Sequence, residues 1–475
     1  MVNQLISLSA VEVVERLKRG EVTPHQLLDA LEARVAEVDP LVNALPTQCF
    51  ARAREHADRL LAQPVALRGA LCGLPLPIKD LTDVAGVRTT FGSPIFAQHV
   101  PVVSDLLVHH LEAQGGLVYA KSNTPEFGAG GNTFNEVFGA TRNPWDTRMS
   151  AAGSSGGAAV ALATGMAWVA HGSDFAGSLR SPASFCNVVG FRPTPGSVAR
   201  TPGPKIDDLL SVEGPMARSV ADCALLFDAM CGRNARDPVS RPAGASALEA
   251  TRSHWRPLRV AYSPDLGITP VDPEVATLTA QAAKRFEALG AVVEHAHPDM
   301  TGVHECFGTL RAYAFAVSKA GLLPTHRDHL KPEVVWNIEK GLALTCAELA
   351  QAEQQRARLC AGMHAFFDHF DLLLCPATIV PPYPVMQRHV ERCNGVVFDN
   401  YIEWLAIAYA ISVVGSPSLS LPCGFTRNGL PVGLQVVGRA GDDAQVFAGA
   451  ALLEGLLGLE TGRPILPRTG ASGSA

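Results

Sequence analysis

The sequence has no apolar run long enough to cross a bilayer. Its longest, Ala158 to Ala170, is interrupted by Thr164 and Gly165, whereas a spanning helix needs about 20 residues. The N-terminus, MVNQLISLSAVEVVERLKRG, lacks the basic start and apolar block of a secretory signal, so none is expected there. The 11 cysteines include no CxxC pair, which suits reduced, mostly buried thiols in a cytoplasmic protein rather than a disulfide framework. The histidines lack metal spacing: His326 and His329 stand three apart with no carboxylate motif around them. Neither metal nor cofactor is therefore expected. Lysines and arginines form no stripe, and the net charge is −6. Nucleic acid and membrane surfaces are excluded as expected partners on that ground.

What is present is a large apolar fraction. At 475 residues and 47% apolar, the chain can bury an extensive core. Ser9 and Glu12 have the spacing of a capping box opening a helix to Arg19. Thr23 and Pro24 open a second helix, with Leu27, Leu28, Leu31, Val35 and Val38 at helical spacing. From about residue 70, short strand-like runs alternate with capped helices. Strands are expected at Leu74–Ile78, Leu117–Ala120, Ala167–His171, Leu258–Tyr262, Ala291–Glu294, Leu372–Leu374 and Ser418–Leu421. Helices are expected after Ser104, over Gly156–Thr164, after Ser219, from Asp272 towards Gly290, over much of 300–370 and over Asp443–Leu457. Such alternation predicts an α/β layered fold. No long polar linker divides the chain, so a single domain is expected over 1–465. Residues 466–475, small and polar at their end, are expected to be a disordered tail.

The chemistry concentrates in Met149–Ala183. Two serine clusters stand there: Gly153-Ser154-Ser155-Gly156-Gly157 and Gly172-Ser173-Asp174-Phe175-Ala176-Gly177-Ser178. Glycine beside serine frees the backbone to approach a ligand and to aim N–H groups at a developing oxyanion. Neither cluster fits a phosphate-binding loop. The first formally matches GxSxG with Ser155 as nucleophile, but an elbow must follow a buried strand. The preceding Pro144–Ala152 is polar and turn-like, so that reading fails.

Together these segments resemble the amidase-signature family. The likeness is carried by Gly73-Leu-Pro-Leu-Pro-Ile-Lys79-Asp80, Lys121-Ser-Asn-Thr-Pro-Glu-Phe127, Thr141-Arg-Asn-Pro-Trp145, both serine clusters, Gly177-Ser-Leu-Arg180-Ser-Pro-Ala183, Val189-Gly-Phe-Arg-Pro193, Glu213-Gly-Pro215, Gly415-Ser-Pro417 and Leu430–Gln435. It is dense over about 70–232 and again over about 370–440. The resemblance implies a large twisted mixed β-sheet covered by helices on both faces. It also implies a catalytic triad of Lys79, Ser154 and Ser178, with Ser178 as nucleophile and Ser154 as a bridge on a cis peptide. Gly128 falls where the family contacts substrate through its backbone, alongside Ser154.

A serine hydroxyl attacks an amide only if a base takes its proton. Lysine can be that base when burial keeps it neutral, and Lys79 follows an apolar run. His171, seven residues before Ser178, is read as structural. The oxyanion is expected on the N–H groups of Phe175, Ala176, Gly177 and Ser178. Asp174, Arg180 and Ser155 are read as structural support, as are Asn123 and Glu126. Two alanines, Ala152 and Ala176, stand where the family has glycine, and Ala176 bears more directly on the oxyanion loop because alanine disfavours positive φ.

The implied activity is hydrolysis of a small-molecule carboxylic amide through an acyl-enzyme. The rival within the family is the glutamine-hydrolysing subunit of the tRNA-dependent amidotransferase, which binds glutamine with an arginine and an aspartate. The corresponding stretches here, Glu333–Glu339 and Glu403–Ile407, contain neither. Trp336, Trp404 and Leu405 would instead suit an apolar or aromatic substrate. A non-catalytic binding protein is the remaining alternative. Homodimers are common among such enzymes, so a homodimer is the partner expectation besides the substrate.

Overall fold

The computed structural model describes residues 2–459 and 462–469. The strands that frame the site are β1 (Pro75–Lys79), β2 (Leu117–Ser122), β3 (Val169–Asp174), β4 (Val189–Arg192), β5 (Val212–Ala217), β6 (Arg259–Tyr262), β7 (Val292–His295), β8 (Leu372–Pro376), β9 (Ser418–Phe425) and β10 (Pro431–Val437). The helices needed below are α1 (Gly156–Ala163), α2 (Arg180–Cys186), α3 (Val303–Lys319), α4 (Pro332–Leu342) and α5 (Ala406–Val413).

Eight strands form one mixed sheet in the order β7-β6-β8-β10-β9-β4-β5-β3. β7, β6 and β8 run parallel, and every pair from β8–β10 to β5–β3 is antiparallel. β1 and β2 pair in parallel in a second sheet, completed by the short antiparallel strand Thr47–Gln48. Helix α2 packs on β9 and β10, Val220–Met230 on β5, and Asp443–Leu457 on β9. This is the expected α/β architecture. One apolar cluster runs through the sheets from Ile6 to Leu453. A smaller one gathers Ala129, Phe315, Leu330, Val334 and Ile338.

Local chemistry explains the elements. Thr23 accepts from the Gln26 N–H while Gln26 reaches back to Thr23, closing a full capping box before Pro24–Val42. At Ser9 only half a box forms. Its Oγ accepts from the Glu12 N–H at 3.1 Å, but Glu12 turns to Arg16 at 2.7 Å. The helix expected after Ser104 is capped instead by Asp105, which accepts from the Leu107 N–H; Ser104 accepts from the Ala85 N–H. α1 is built of small residues because it must approach other backbone closely. A Cβ on Gly157 would lie 2.4 Å from the Asn123 nitrogen.

Three strands were not marked in the sequence: β4, β5 and β10. Each is buried almost throughout, so no polar–apolar alternation marks it, and each contains a glycine or proline that resembles a turn signal. Strand β3 also runs on to Asp174, so the second serine cluster begins inside the sheet. Of the stretch expected to be a loose tail, Arg468 is held by backbone hydrogen bonds to Pro144 and Thr147. Residues 470–475 lie outside the described residues. No helix among the described residues is long and apolar enough to cross a membrane.

Candidate active site

Lys79 ends β1, all five residues of which are buried. Its backbone N–H donates to His171 Nδ1 at 3.3 Å. The proton of His171 therefore sits on Nε2, which donates to Glu213 Oε2 at 2.7 Å. Engaged on both nitrogens, His171 braces the lysine strand. The Lys79 Nζ lies 2.8 Å from Ser154 Oγ, 2.8 Å from Ser155 Oγ and 3.0 Å from Ser173 Oγ. Burial pushes this amine down to about 7, against the opposing pull of the Glu213 and Asp174 carboxylates. Burial works to raise Glu213, but the hydrogen bond from His171 together with the nearby positive groups, Arg200 and Lys79 among them, outweighs it and keeps the carboxyl below its ordinary range.

Ser154 is 2% exposed, and the Gly153–Ser154 peptide is cis. Gly128 faces it: φ is +70°, and a Cβ there would meet Ser154 Oγ at 3.4 Å and Leu81 Cδ1 at 3.0 Å. Ser155 is the second hydroxyl on Lys79, and its Oγ also donates to the Ser173 carbonyl at 3.3 Å. The Ser155 N–H donates to the Ser178 carbonyl at 3.2 Å, which ties the two serine clusters together. Ser178 is half-buried, just ahead of α2.

The loop leading to Ser178 is shaped by Asp174. Its Oδ1 accepts from the Gly177 N–H at 3.0 Å and its Oδ2 from the Leu179 N–H at 3.1 Å. The Gly177 N–H is thereby spent, whereas those of Phe175, Ala176 and Ser178 find no acceptor among the described residues. Positive φ in this loop falls on Gly177 (φ 108°), not on Ala176. The alanine in the left-handed region is Ala152 (φ 56°), a conformation costing an L-residue about 1–2 kcal/mol. It is held there by Ser150 Oγ on its N–H and Thr133 Oγ1 on its carbonyl.

Asp174 is fully buried between Arg180, at 2.9 and 3.0 Å, and Arg192, at 3.2 Å. Burial favours its protonated form, but the two guanidiniums hold its carboxyl well below the usual carboxylate range. Arg180 is fixed in turn by Gln435 Oε1 at 2.7 Å and by the Ala408 carbonyl of α5. Removing one partner of a buried charge cluster strands the other charges. Asp174→Ala should therefore lose about 3–5 kcal/mol of stability in chemical denaturation; a loss below about 1 kcal/mol would contradict this account of the loop.

Beside the site opens a cleft of about 330 Å³ whose lining includes Leu81, Phe127, Phe175, Phe315, Lys319 and Glu213. Trp404 is buried against Gly131. Trp336, by contrast, is 37% exposed and is covered by Lys340, so it belongs to the surface and not to the cleft. Asn123 and Glu126 are both in buried hydrogen-bond networks, Asn123 with Thr141 and Asn135, Glu126 with Ser93 and the Lys331 N–H. Sequence reading assigned no role to Ser173, Glu213 or Arg192. The only signal for the last two was charge inside otherwise apolar motifs.

The sequence and the fold are both found again in known proteins. The family described as Amidase matches residues 26–447. An acylamidase of Rhodococcus erythropolis is 34% identical over 453 residues, covering 94% of this chain and 95% of that one. A glutamyl-tRNA(Gln) amidotransferase subunit of Moorella thermoacetica is 33% identical over 488 residues, covering 96% and 97%. Among solved structures, a bacterial aryl acylamidase superposes with a TM-score of 0.88 at 28% identity, covering 96% and 99%. A 6-aminohexanoate cyclic dimer hydrolase does so with 0.88 at 28%, covering 98% and 100%. The class is thus that of hydrolases acting on amides. Within it, the chain belongs to the amidase family, among the amidase-signature enzymes.

Proposed function

We propose that this enzyme hydrolyses a carboxylic amide by acylation of Ser178, with Ser154 and Lys79 as its proton relay. The observation that carries this reading is the 2.8 Å contact of a fully buried Lys79 amine with Ser154 Oγ. A neutral amine has two N–H donors and one lone pair. Donation to Ser155 and Ser173 leaves the lone pair for the Ser154 proton. Ser154 then accepts the proton of Ser178, whose Oγ attacks the carbonyl carbon. The oxyanion is held by the unspent N–H groups of Phe175, Ala176 and Ser178, each such donor being worth roughly 3–4 kcal/mol. Ser154 passes its proton to the departing amine, and water releases the acid by the reverse relay.

The substrate we propose is an apolar or aromatic amide. Leu81, Phe127, Phe175 and Phe315 along the cleft support this, as do the acylamidase and aryl acylamidase among the relatives. A panel of an anilide, an aliphatic amide, a cyclic amide and glutamine tests it. Turnover of the anilide is expected; hydrolysis of glutamine alone would reverse the choice in favour of the glutamine-hydrolysing role.

The relay also sets a pH dependence. The base works only when deprotonated, and burial holds it at about 7. Below that, kcat/KM should rise about tenfold per pH unit, then level off above it. A pH–rate profile that is flat or falling between pH 5 and 8 would remove Lys79 from the role of base.

A further inference from the structure

A guanidinium is rarely buried without a carboxylate beside it, because the charge loses its hydration and gains nothing in exchange. Arg311 on α3 is 5% exposed and forms no ion pair with any described residue. Its one hydrogen bond among the described residues runs to Tyr401 Oη at 3.0 Å, and its buried Nε has no partner there. Its guanidinium carbon stands 4.8 Å from the ring centre of Phe315, 5.4 Å from that of Phe175 and 5.8 Å from that of Tyr401. Rings can offset part of a buried cation's cost, but they leave most of its N–H donors unused. The same Tyr401 hydroxyl receives the Asn337 amide of α4, whose Oδ1 is also unpartnered among the described residues.

The neighbouring acids are already engaged. Glu126 accepts from Ser93 and from the Lys331 N–H, and Glu333 pairs with Arg388 at 2.6 Å. A second cation stands close by: Lys331 Nζ donates to the Ala129 carbonyl at 2.9 Å, next to Gly128. Phe175 and Phe315, which flank Arg311, both line the cleft, and Phe175 opens the loop that ends at Ser178. The acyl half of a substrate stays bonded to that loop, whereas the amine leaves from the Ser154 side.

We propose that Arg311 is a specificity residue that receives a carboxylate carried at the far end of the substrate's acyl group, so that half-amides of short dicarboxylic acids are preferred. This rests on the hydrolytic reading above and names the substrate class for that site. The aromatic rings accommodate the acyl chain, and the fork of the guanidinium takes the anion in two parallel hydrogen bonds. Tyr401 acts through Arg311 as a positioning residue.

The test compares three p-nitroanilide or anilide substrates: glutaryl-p-nitroanilide, the uncharged valeryl-p-nitroanilide, and N-valeryl-4-aminobenzoate with its charge on the amine half. The wild type should favour the glutaryl compound over both others by about tenfold or more in kcat/KM, because a site built for a polar group rejects analogues lacking it. Arg311→Met should erase that preference through KM while leaving valeryl-p-nitroanilide within about threefold of wild type. Arg311→Lys should retain part of it, and Tyr401→Phe should weaken it. Equal losses on charged and uncharged substrates, or a preference for the aminobenzoate, would overturn the assignment. Calorimetric titration of the wild type with glutarate and with valerate decides independently of turnover and of how well any variant folds. Tighter binding of glutarate is expected, and equal binding overturns the proposal. If glutarate binds but no anilide is cleaved, it is the hydrolytic reading that fails.

Discussion

Ser178→Ala should lower amide turnover by about five to six orders of magnitude, the loss expected when a serine nucleophile is removed from a cooperating set. A fluorophosphonate probe separates this from misfolding. It should label the wild type and Ser155→Ala, and leave Ser178→Ala unlabelled. Ser154 and Ser155 are buried, and both hydroxyls lie on the Lys79 amine. Ser178 is half-buried at the mouth of a loop whose neighbouring N–H groups have no acceptor among the described residues. Only at Ser178 can a carbonyl meet both a hydroxyl and free donors. Labelling that persists in Ser178→Ala and disappears in Ser155→Ala would restore the elbow reading of Gly153–Gly157.

Lys79→Ala should cost about three to five orders of magnitude in kcat/KM with the fold retained. The residual rate should lose its rise through pH 7. The fold should survive because Lys79 forms no close ion pair with any described residue; its partners are hydroxyls and the Ser173 carbonyl, and its brace by His171 is made through the backbone N–H. Removing the amine also removes a cation that burial disfavours. Circular dichroism and fluorophosphonate reactivity check the two halves of this statement. Near-normal amide turnover in the variant would eliminate the relay, and another base would have to be sought, with Glu213 the anion that acts most strongly on the lysine.

Much of this site was legible in the sequence because its signals are local. The glycine–serine clusters, the apolar run ending in Lys79 and the arginine two residues after Ser178 sit within short stretches whose texture reflects their chemistry. Capped helices were legible for the same reason: Thr23, Ser219 and Asp272 act on N–H groups two or three residues away. Elements went unmarked where burial hid the pattern. Strands β4, β5 and β10 lie deep in the sheet, where both faces are apolar and alternation vanishes. Trp336 was assigned to the substrate on residue type, but which face of a helix meets solvent depends on what packs against it.

By itself, then, the sequence determined the α/β class and the family, and it singled out Lys79, Ser154 and Ser178 as the residues to test. The tertiary structure decided how those residues are used. It spent the Gly177 N–H on Asp174 and left those of Phe175, Ala176 and Ser178 without an acceptor among the described residues. It put the strained backbone on Ala152, sparing Ala176. It braced Lys79 through His171 and Glu213, and it buried Arg311 without an anion. The brace on Lys79 and the setting of Arg311 depend on contacts between distant parts of the chain, such as Lys79 with His171, 92 residues apart. Charge and hydrogen-bond satisfaction are properties of the surroundings a residue folds into, and no local pattern encodes them.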